Sequence, residues 1–198
     1  MAKLYFNFSA MNAGKSAILL QAAHNYRERG MRVLLMKPAL DTREASGHIA
    51  SRVGLSAPAD VFALDADIRA HILREHHKDP IACVLIDEAQ FLSEDQVWQL
   101  ARIADEEGIP VMCYGLRTDF EGALFPGSKI LLAIADDLRE IRTICWCGRK
   151  AIMNLRIDEA GRAVREGEQI EIGGDDRYVA LCRTHFMAGQ HKKNNSSG

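Results

Sequence analysis

The chain has 198 residues, of which 47% are apolar and 26% charged, and its formal net charge is −2. Such a composition is ordinary for a globular protein with a sizeable core, and the weak negative charge argues against a nucleic-acid or membrane-surface partner. No apolar run approaches the length of a membrane span, the N-terminus lacks the pattern of a signal peptide, and the five cysteines favour reduced thiols in a cytoplasmic protein.

The first predicted elements are a strand, a tight loop and a helix. An apolar-rich run over residues 4–8 leads into Ser-Ala-Met-Asn-Ala-Gly-Lys-Ser, which matches the phosphate-loop pattern G-x-x-x-x-G-K-[ST] except for serine at the first position. Lys15 would reach the β- and γ-phosphates of a nucleotide, and the Ser16 hydroxyl would ligate Mg²⁺. The alternative is a helix N-terminus that carries Gly-Lys-Ser without binding phosphate. The candidate ATP-binding residues here are Ser9, Ala10, Met11, Asn12, Ala13, Gly14, Lys15 and Ser16.

Strands and helices alternate as far as about residue 135, a pattern that predicts a doubly wound parallel sheet flanked by helices. The first helix is expected to end near Gly30. Further strands are expected at 32–36, 61–64, 81–86 and 110–115, and a helix at 67–77. Ser93 and Gln96 predict a capping box for another helix, which Gly108 closes.

An acidic pair, Asp87 and Glu88, follows the continuous apolar run at 81–86, which is typical of a strand covered on both faces. In a phosphate-loop protein, an acidic residue at the end of such a strand faces the phosphates and holds Mg²⁺, a role that suits Asp87. Glu88 is then free to take a proton from an attacking hydroxyl or to position a water molecule. The alternative is that both residues merely end the strand and begin a turn.

A group of potential zinc ligands lies near the C-terminus. Cys145 and Cys147 form a C-x-C pair, and Cys182 and His185 form a C-x-x-H pair. Three thiolates and one imidazole suit a tetrahedral, structural Zn²⁺ that leaves no open position for catalysis, and a disulfide among the cysteines is the alternative. Such an ion would stabilise a lobe too small to bury a core of its own. The two remaining cysteines lie in apolar strands and are expected to pack in the core.

Beyond residue 140 the pattern changes to short, strand-like pieces broken by turns, as at 158–161 and 173–175. This change predicts an ATP-binding α/β domain over residues 1–140. It also predicts a small β-rich zinc-binding lobe at 141–188 and a polar, disordered tail at 189–198.

These features together resemble the type II thymidine kinases, the family of cytosolic and bacterial thymidine kinases. The resemblance covers residues 3–187. It is carried by residues 9–16, 41–43, 87–91, 115–120 and 172–178, together with the zinc ligands. Serine at the first position of the phosphate loop occurs in bacterial members of that family, and the C-x-C spacing looks like a bacterial variant of C-x-x-C.

The resemblance implies transfer of the γ-phosphate of ATP to the 5′-hydroxyl of thymidine, which gives dTMP. By position, Glu88 would be the general base on that hydroxyl. The phosphates and Mg²⁺ would be bound by Lys15, Ser16 and Asp87. The ATP site implied by the resemblance further includes Arg43, Asp87, Glu88, Ala89 and Gln90.

The resemblance also implies a loop between about residues 158 and 178, the lasso, which grips the thymine base largely through backbone groups. The residues implied in thymidine binding are Met11, Phe91, Leu116, Phe120, Gln169, Ile170, Glu171, Ile172, Gly173 and Tyr178. For the apolar members at strand ends, core packing is the alternative. Family members are usually tetramers that thymidine triphosphate inhibits, so the resemblance implies a homotetramer with feedback inhibition by dTTP.

Two other classes of protein fit part of the pattern. The sequence Asp-Glu-Ala-Gln at 87–90 matches the D-E-A-x motif of RNA helicases and related ATPases, but such motors need two stacked ATPase domains and this chain has room for one. A non-catalytic zinc-ribbon module with a vestigial nucleotide site is the second class, and the intact Lys15, Ser16 and acidic pair argue against it.

Overall fold

The structure is a computed structural model that describes residues 1–39, 47–169 and 177–192. In chain order the elements are β1 (Leu4–Ser9), α1 (Lys15–Glu28), β2 (Val33–Pro38), β3 (His48–Ala50), β4 (Ser56–Pro58), β5 (Asp60–Phe62), α2 (Ile68–Lys78), β6 (Cys83–Ile86), a 3₁₀ turn (Ala89–Phe91), α3 (Glu94–Glu107), β7 (Val111–Leu116), α4 (Pro126–Ile134), β8 (Asp137–Glu140), β9 (Thr143–Ile144), β10 (Lys150–Ala151), β11 (Met153–Ile157), β12 (Ala163–Val164), β13 (Tyr178–Leu181) and α5 (Arg183–Met187).

The central sheet has six strands in the order β5-β2-β6-β7-β1-β8, and every pair of neighbours is parallel. The predicted α/β fold with a parallel sheet is therefore confirmed. Strand β7 lies between β1, which leads into the phosphate loop, and β6, which leads into the acidic pair. Because the strands are parallel, the loops after β1, β6 and β7 all emerge at the same edge of the sheet.

Apolar side chains cover both faces of the central sheet, which is why β6 reads as an unbroken apolar run. Every residue of β6, from Cys83 to Ile86, is fully buried. Helices α2, α3 and α4 bury their apolar residues against one face, and α1 covers the other together with the β3–β4 hairpin. Cys83 and Cys113 are both buried in this core, as predicted.

The helix ends follow the sequence signals. Ser93 and Gln96 form the predicted capping box of α3, each side chain accepting a hydrogen bond of 3.2 Å from the other residue's backbone N–H. Gly108 ends that helix at φ +69°, a left-handed conformation that glycine adopts without strain. In the preceding helix, the Asp67 carboxylate accepts from the backbone N–H of Ala70 at 2.8 Å.

The β3–β4 hairpin, strand β8 and helix α4 were not predicted. The hairpin of β3 and β4 consists of strands of only three residues each, too short to produce a recognisable alternation. Strand β8 carries three charged residues out of four, and such a sequence is tolerated because it lies at the edge of the sheet. Helix α4 begins with Pro126 at its first turn and packs against the 3₁₀ turn that follows the acidic pair.

A small C-terminal lobe follows β8. It contains the antiparallel pair β9–β10, the antiparallel sheet β12-β11-β13 and the short helix α5. Its own core is small and includes two of the cysteines of the proposed zinc cluster, Cys145 and Cys182, together with Leu155 and Phe186. The turn predicted at 158–161 is present, since Gly161 N–H donates to the Asp158 carbonyl at 2.9 Å.

The predicted domain boundary at residue 140 and the disorder of the tail stay predictions. Residues 173–175 and 193–198 lie outside the described residues. At the start of the predicted tail, the backbone N–H of Gln190 donates to the carbonyl of His185 at 2.9 Å. Within the described ranges, none of the helices combines the length and apolar character that crossing a membrane requires.

Candidate functional site

The phosphate loop connects β1 to α1 and bends sharply before the helix begins. Gly14 lies at the start of α1 with φ +83°, a left-handed conformation that favours glycine. Asn12 also has a positive φ of 60°, which asparagine tolerates better than most side chains. The ammonium of Lys15 donates to the Ser9 hydroxyl at 3.2 Å. The serine that replaces the first glycine of the pattern thus holds the lysine side chain along the loop.

The Ser16 hydroxyl, in the first turn of α1, contacts the Asp87 carboxylate, which directly follows β6. The contact forms at the carboxyl edge of the sheet, although β7 lies between β6 and the strand that leads to α1, β1. Ser16 Oγ donates to Asp87 Oδ2 at 2.9 Å, and the second carboxylate oxygen of Asp87 accepts from the backbone N–H of Glu88 at 3.0 Å. Hydroxyl and carboxylate oxygens are ligands that Mg²⁺ prefers, and Mg²⁺ typically uses one or two of them beside water and substrate phosphate. The donor set therefore fits a nucleotide-bound Mg²⁺.

Asp87 has an unusual acidity for a carboxyl group. Burial raises its pKa to about 7, and the negative charge of Glu88 acts in the same direction. The hydrogen bond from Ser16 and the positive charge of Lys15 oppose this rise. A divalent cation beside Asp87 would favour its charged form, so binding of Mg²⁺ there would be accompanied by loss of a proton.

Glu88 occupies a left-handed backbone conformation, with φ +51° and ψ +38°, which is uncommon for residues other than glycine. Its side chain is largely buried and accepts a hydrogen bond from the side-chain amide of Gln90. Gln90 also accepts from the backbone N–H of Leu116 at 3.0 Å. A strained backbone conformation persists only where surrounding contacts hold it, and such residues are frequent at functional sites.

These residues line one cleft of about 450 Å³ at the carboxyl edge of the sheet. The sequence-predicted residues that it brings together are Met11, Asn12, Ala13, Gly14, Lys15, Ser16, Asp87, Glu88 and Leu116. The cleft is also lined by residues 49–53, at the end of β3 and in the turn that follows it, which no sequence signal identified. The cleft is large enough to hold a small-molecule ligand.

The other predicted site residues that the structure describes contact protein groups. Ser9, Ala10, Ala89 and Gln90 are almost fully buried behind the cleft wall. Phe91 packs edge-on against Phe125 with ring centroids 5.6 Å apart, and Phe120 lies beneath the guanidinium of Arg156 at 3.7 Å. Gln169 donates to the Asp119 carboxylate at 2.7 Å, and Tyr178 pairs with Arg156 across β13 and β11.

Several predicted residues lie outside the described residues, so their placement is untested. They are Arg43, Ile170, Glu171, Ile172 and Gly173. The roles of Phe91, Phe120, Gln169 and Tyr178 in thymidine binding also stay predictions, since their described contacts are with the protein itself.

The four predicted zinc ligands converge in the C-terminal lobe, with their ligand atoms all within 4.8 Å of one another. The His185 Nδ1 atom lies 3.3 Å from Cys145 Sγ and 3.4 Å from Cys182 Sγ, and the sulfurs of Cys147 and Cys182 are 3.9 Å apart. A tetrahedral Zn²⁺ places sulfur and nitrogen ligands roughly 3.5–3.8 Å from one another. The donor set and spacing therefore fit zinc, and the five cysteines, all described, are free rather than disulfide-bonded.

Neighbouring groups prepare this cluster for a cation. The indole of Trp146 stacks on the imidazole of His185 with ring centroids 4.1 Å apart, which fixes the plane of the ligand. Burial opposes ionisation of Cys145, but hydrogen bonds from the backbone N–H groups of Cys147 and Cys182 and the contact with His185 lower its pKa to about 6. A thiolate is the form that binds zinc.

Asn154, in β11, connects the lobe to the phosphate loop, and no sequence signal had identified it. Its side-chain oxygen accepts from the backbone N–H of Met11 at 2.7 Å, and its amide nitrogen donates to the carbonyl of Thr118 at 2.9 Å. Nearby, the Arg117 guanidinium donates to the carbonyl of Ile152 at 3.1 Å. A single asparagine belongs to no motif and its two partners are distant in the chain, so only the folded geometry distinguishes this residue.

The sequence model of the family described as "Thymidine kinase" matches residues 2–186. The chain belongs to the thymidine kinase family. Thymidine kinase from Ruegeria pomeroyi is 60% identical over 186 residues, which cover 94% of each chain. The thymidine kinase of Agrobacterium fabrum is 60% identical over 94% of this chain and 97% of its own. That of Legionella pneumophila (strain Paris) is 57% identical over 98% of this chain and 93% of its own.

Membership of the thymidine kinase family confirms the resemblance drawn from the motifs. The match spans the phosphate loop, the acidic pair and all four cluster residues, from Cys145 to His185. The D-E-A-x sequence at 87–90 therefore lies within the region that matches the thymidine kinase family. The match gives no support to the alternative of an RNA helicase or related two-domain ATPase. The match likewise gives no support to the alternative of a non-catalytic zinc-ribbon module.

Proposed function

We propose that this chain transfers the γ-phosphate of ATP to the 5′-hydroxyl of thymidine and so produces dTMP for nucleotide salvage. Its membership of the thymidine kinase family and its 60% identity to the thymidine kinases of Ruegeria pomeroyi and Agrobacterium fabrum support this activity. The observation that carries the proposal is the 2.9 Å hydrogen bond between Ser16 of the phosphate loop and Asp87, with Glu88 beside it on the same cleft. That arrangement supports one site in which the phosphate loop would bind the phosphates, Ser16 and Asp87 would hold Mg²⁺, and Glu88 would act as the base.

The triphosphate would lie against the phosphate loop, held by the amides at the start of α1 and by Lys15. Ser16 and Asp87 would hold the nucleotide's Mg²⁺, which neutralises charge on the β- and γ-phosphates when bound. Phosphoryl transfer depends mainly on positioning and charge neutralisation, so these residues supply most of what the reaction requires. Arg43 would add positive charge near the phosphates.

Glu88 would act as the general base. Its carboxylate takes the proton of the 5′-hydroxyl while that oxygen forms a bond to the γ-phosphorus, and the bond between the γ-phosphorus and the bridging oxygen breaks to release ADP. Support comes from its position on the cleft wall next to Asp87 and from the hydrogen bond by which Gln90 orients it.

Thymidine would bind beside this base. Met11 and Leu116 line the cleft and would contact the nucleoside, together with Phe91, Phe120 and Tyr178. Backbone groups of residues 169–173 would read the base through its N–H and C=O groups. A neutral base needs no cationic partner, and an unpaired polar group in the pocket would cost about 1–3 kcal/mol, enough to reject a base with the wrong pattern.

The Cys3His cluster would hold a structural Zn²⁺ that stabilises the lobe over residues 141–188, next to the α/β domain at 1–140. This role is supported by the convergence of the four ligand atoms within 4.8 Å of one another and by the small size of the lobe's own core. We further propose a cytoplasmic homotetramer that dTTP inhibits. Light scattering of the purified protein and a dTTP titration of its activity test these two properties.

The decisive experiment incubates the purified protein with ATP, Mg²⁺ and a panel of nucleosides and follows the formation of nucleoside monophosphates. We expect turnover with thymidine, and none driven by RNA alone. Glu88→Gln should lower kcat by about 10²–10⁴-fold while MgATP binding persists. The matched control is Glu28→Gln, an exposed residue of α1 that should retain wild-type activity. Thymidine left unchanged by the wild-type protein would overturn the proposal.

A further inference from the structure

The phosphate loop is held from outside by a residue of the C-terminal lobe. Asn154 is 1% exposed, and its side chain bridges two backbone groups of the α/β domain. The side-chain oxygen accepts from Met11 N–H at 2.7 Å, and the side-chain nitrogen donates to the Thr118 carbonyl at 2.9 Å. All three residues are buried, so water does not compete for these groups.

The chemistry of the bridge selects an amide side chain. Met11 offers a donor and Thr118 an acceptor, and asparagine is a short side chain that carries one acceptor and one donor group on the same carbon. Leucine has nearly the same shape but would leave both backbone groups unpaired. Aspartate would keep the acceptor but lose the donor.

Asn154 contacts the phosphate loop directly before a residue with an uncommon backbone conformation. Met11 directly precedes Asn12, whose φ of 60° turns the chain toward Gly14 and the first turn of α1. The loop also has Ser9 where the pattern has its first glycine. A phosphate-binding loop works because its amides are aimed at the ligand before it arrives, so a shift of the loop weakens binding.

We propose that Asn154 is a positioning residue that fixes the phosphate loop through Met11 and so sets the affinity for the triphosphate of ATP. The residue acts through the loop and not by touching the reacting atoms. It lies in β11, opposite Ala180 of β13, two residues before the zinc-cluster residue Cys182. The lobe thus contributes to nucleotide binding as well as to its own stability. This inference rests on the proposed role of the loop in binding ATP.

The test measures MgATP binding by calorimetry without nucleoside, so it does not depend on thymidine turnover. For Asn154→Leu we expect the Kd for MgATP to rise roughly 5- to 100-fold, the effect of leaving buried polar groups unpaired. Because Met11 would also contact the nucleoside, the KM for thymidine, measured at saturating ATP, should rise as well, but by a smaller factor than the Kd for MgATP. Zinc content and the melting temperature establish that the variant is folded. Asn154→Ala, which introduces no clash, should raise the Kd roughly threefold or more.

Arg117→Met is the matched control. The Arg117 guanidinium also ties the lobe to the α/β domain, through the carbonyl of Ile152, only two residues before Asn154. If the contact with Met11 is what matters, this variant should bind MgATP within twofold of the wild type. An equal loss of MgATP affinity in Arg117→Met would mean that lobe docking alone is responsible and would overturn the proposal. Folded Asn154 variants that bind MgATP as the wild type does would overturn it as well.

The outcomes also separate this inference from the proposed function. A wild-type protein that binds MgATP but does not phosphorylate thymidine contradicts the proposed function, and the comparison of Kd values still decides the role of Asn154. An equal loss of affinity for ATP and thymidine indicates a general structural role and contradicts the inference while leaving the kinase activity in place.

Discussion

The side-chain amide of Gln90 donates a hydrogen bond to the carboxylate of Glu88 and thereby fixes the one acidic side chain that we propose as the base. Gln90 is itself held by the backbone N–H of Leu116, 3.0 Å from its side-chain oxygen. Gly115 lies directly against it, and a Cβ at that position would approach the Gln90 oxygen to 2.9 Å. Gln90 is 1% exposed, so this chain of contacts aims Glu88 into the cleft from behind.

Replacing Gln90 by leucine should therefore impair the chemical step more than substrate binding. The Glu88 carboxylate would lose its orienting partner, and the buried N–H of Leu116 would be left unpaired. We expect kcat to fall by roughly 10- to 100-fold, since losing a hydrogen bond to a charged group corresponds to about 1.5–3 kcal/mol. The KM for ATP should change less than threefold. Steady-state kinetics with both substrates measure the two effects.

Gln21→Leu is the control for this prediction. Gln21 is an exposed residue of α1 whose amide donates to Asn25, one helical turn away. Its replacement should leave both kcat and KM unchanged. If Gln90→Leu instead raised the KM for ATP and left kcat intact, Gln90 would act in nucleotide binding rather than in holding the base.

Gly127 marks the closest approach between α4 and the segment after the acidic pair. A Cβ at this position would lie 2.5 Å from the Ala89 carbonyl oxygen and 2.9 Å from that of Leu92. Both are backbone atoms, so relief requires the helix or the turn to shift. We expect Gly127→Ala to lower the free energy of unfolding by about 1–3 kcal/mol, the usual effect of overpacking.

Urea denaturation measures that loss, and Lys129→Ala is its control because the exposed Lys129 is a residue of the same helix. This control should unfold at nearly the wild-type urea concentration. A Gly127→Ala variant as stable as the wild type would contradict the close contact between α4 and the 3₁₀ turn after the acidic pair.

The proposed zinc site predicts a metal content that depends on each ligand. Cys182→Ser should reduce bound zinc from about one ion per chain to nearly none, because the tetrahedral set would lose a thiolate. The melting temperature should fall with it, since the lobe has little core beyond the cluster. Elemental analysis of protein purified without chelator gives the zinc content, and calorimetry gives the melting temperature.

Cys113→Ala separates loss of zinc from loss of any buried thiol. Cys113 is fully buried in β7 within the main core and lies outside the cluster. Its replacement should retain the full zinc content, at a modest loss of stability from the small cavity. Zinc bound equally by the wild type and Cys182→Ser would contradict the four-ligand site.

Local signals in the sequence were sufficient for the parts of this fold that depend on local physics. The capping box of α3, the glycine that ends it and the buried strand β6 follow from residues next to one another in the chain. The convergence of three cysteines and one histidine was predictable as well, because their residue types and spacing are typical of zinc ligands. The parallel sheet follows from the alternation of strands and helices.

Other features depend on contacts between distant segments, which one sequence does not display. Residues 49–53 line the cleft at the end of a very short strand, and β8 is a charged edge strand. Asn154 reaches Met11 across 143 positions of the chain, and Arg156 covers the ring of Phe120. Such polar contacts leave no periodic pattern, so their partners become evident only in the folded protein.

The raised pKa of Asp87 predicts how stability depends on pH in the absence of nucleotide. Burial and the neighbouring Glu88 raise this pKa from 3.8 to about 7 in the folded protein. Between these two values the folded chain retains a proton that the unfolded chain has already lost. The contribution of Asp87 to stability is therefore greatest below about pH 4, declines as the pH rises to about 7 and is constant above that.

Asp87→Asn removes this titration, so its stability relative to wild type should increase from pH 5 to pH 8, by up to about 3 kcal/mol. Urea denaturation at the two pH values, without added Mg²⁺ or nucleotide, measures the difference. Asp105→Asn, at an exposed position of α3, is the control and should show no such dependence. A variant whose advantage is the same at both pH values would mean that Asp87 is already ionised at pH 5. The same variant should lose turnover, because the charge that opposes folding at neutral pH is the one that we propose binds Mg²⁺.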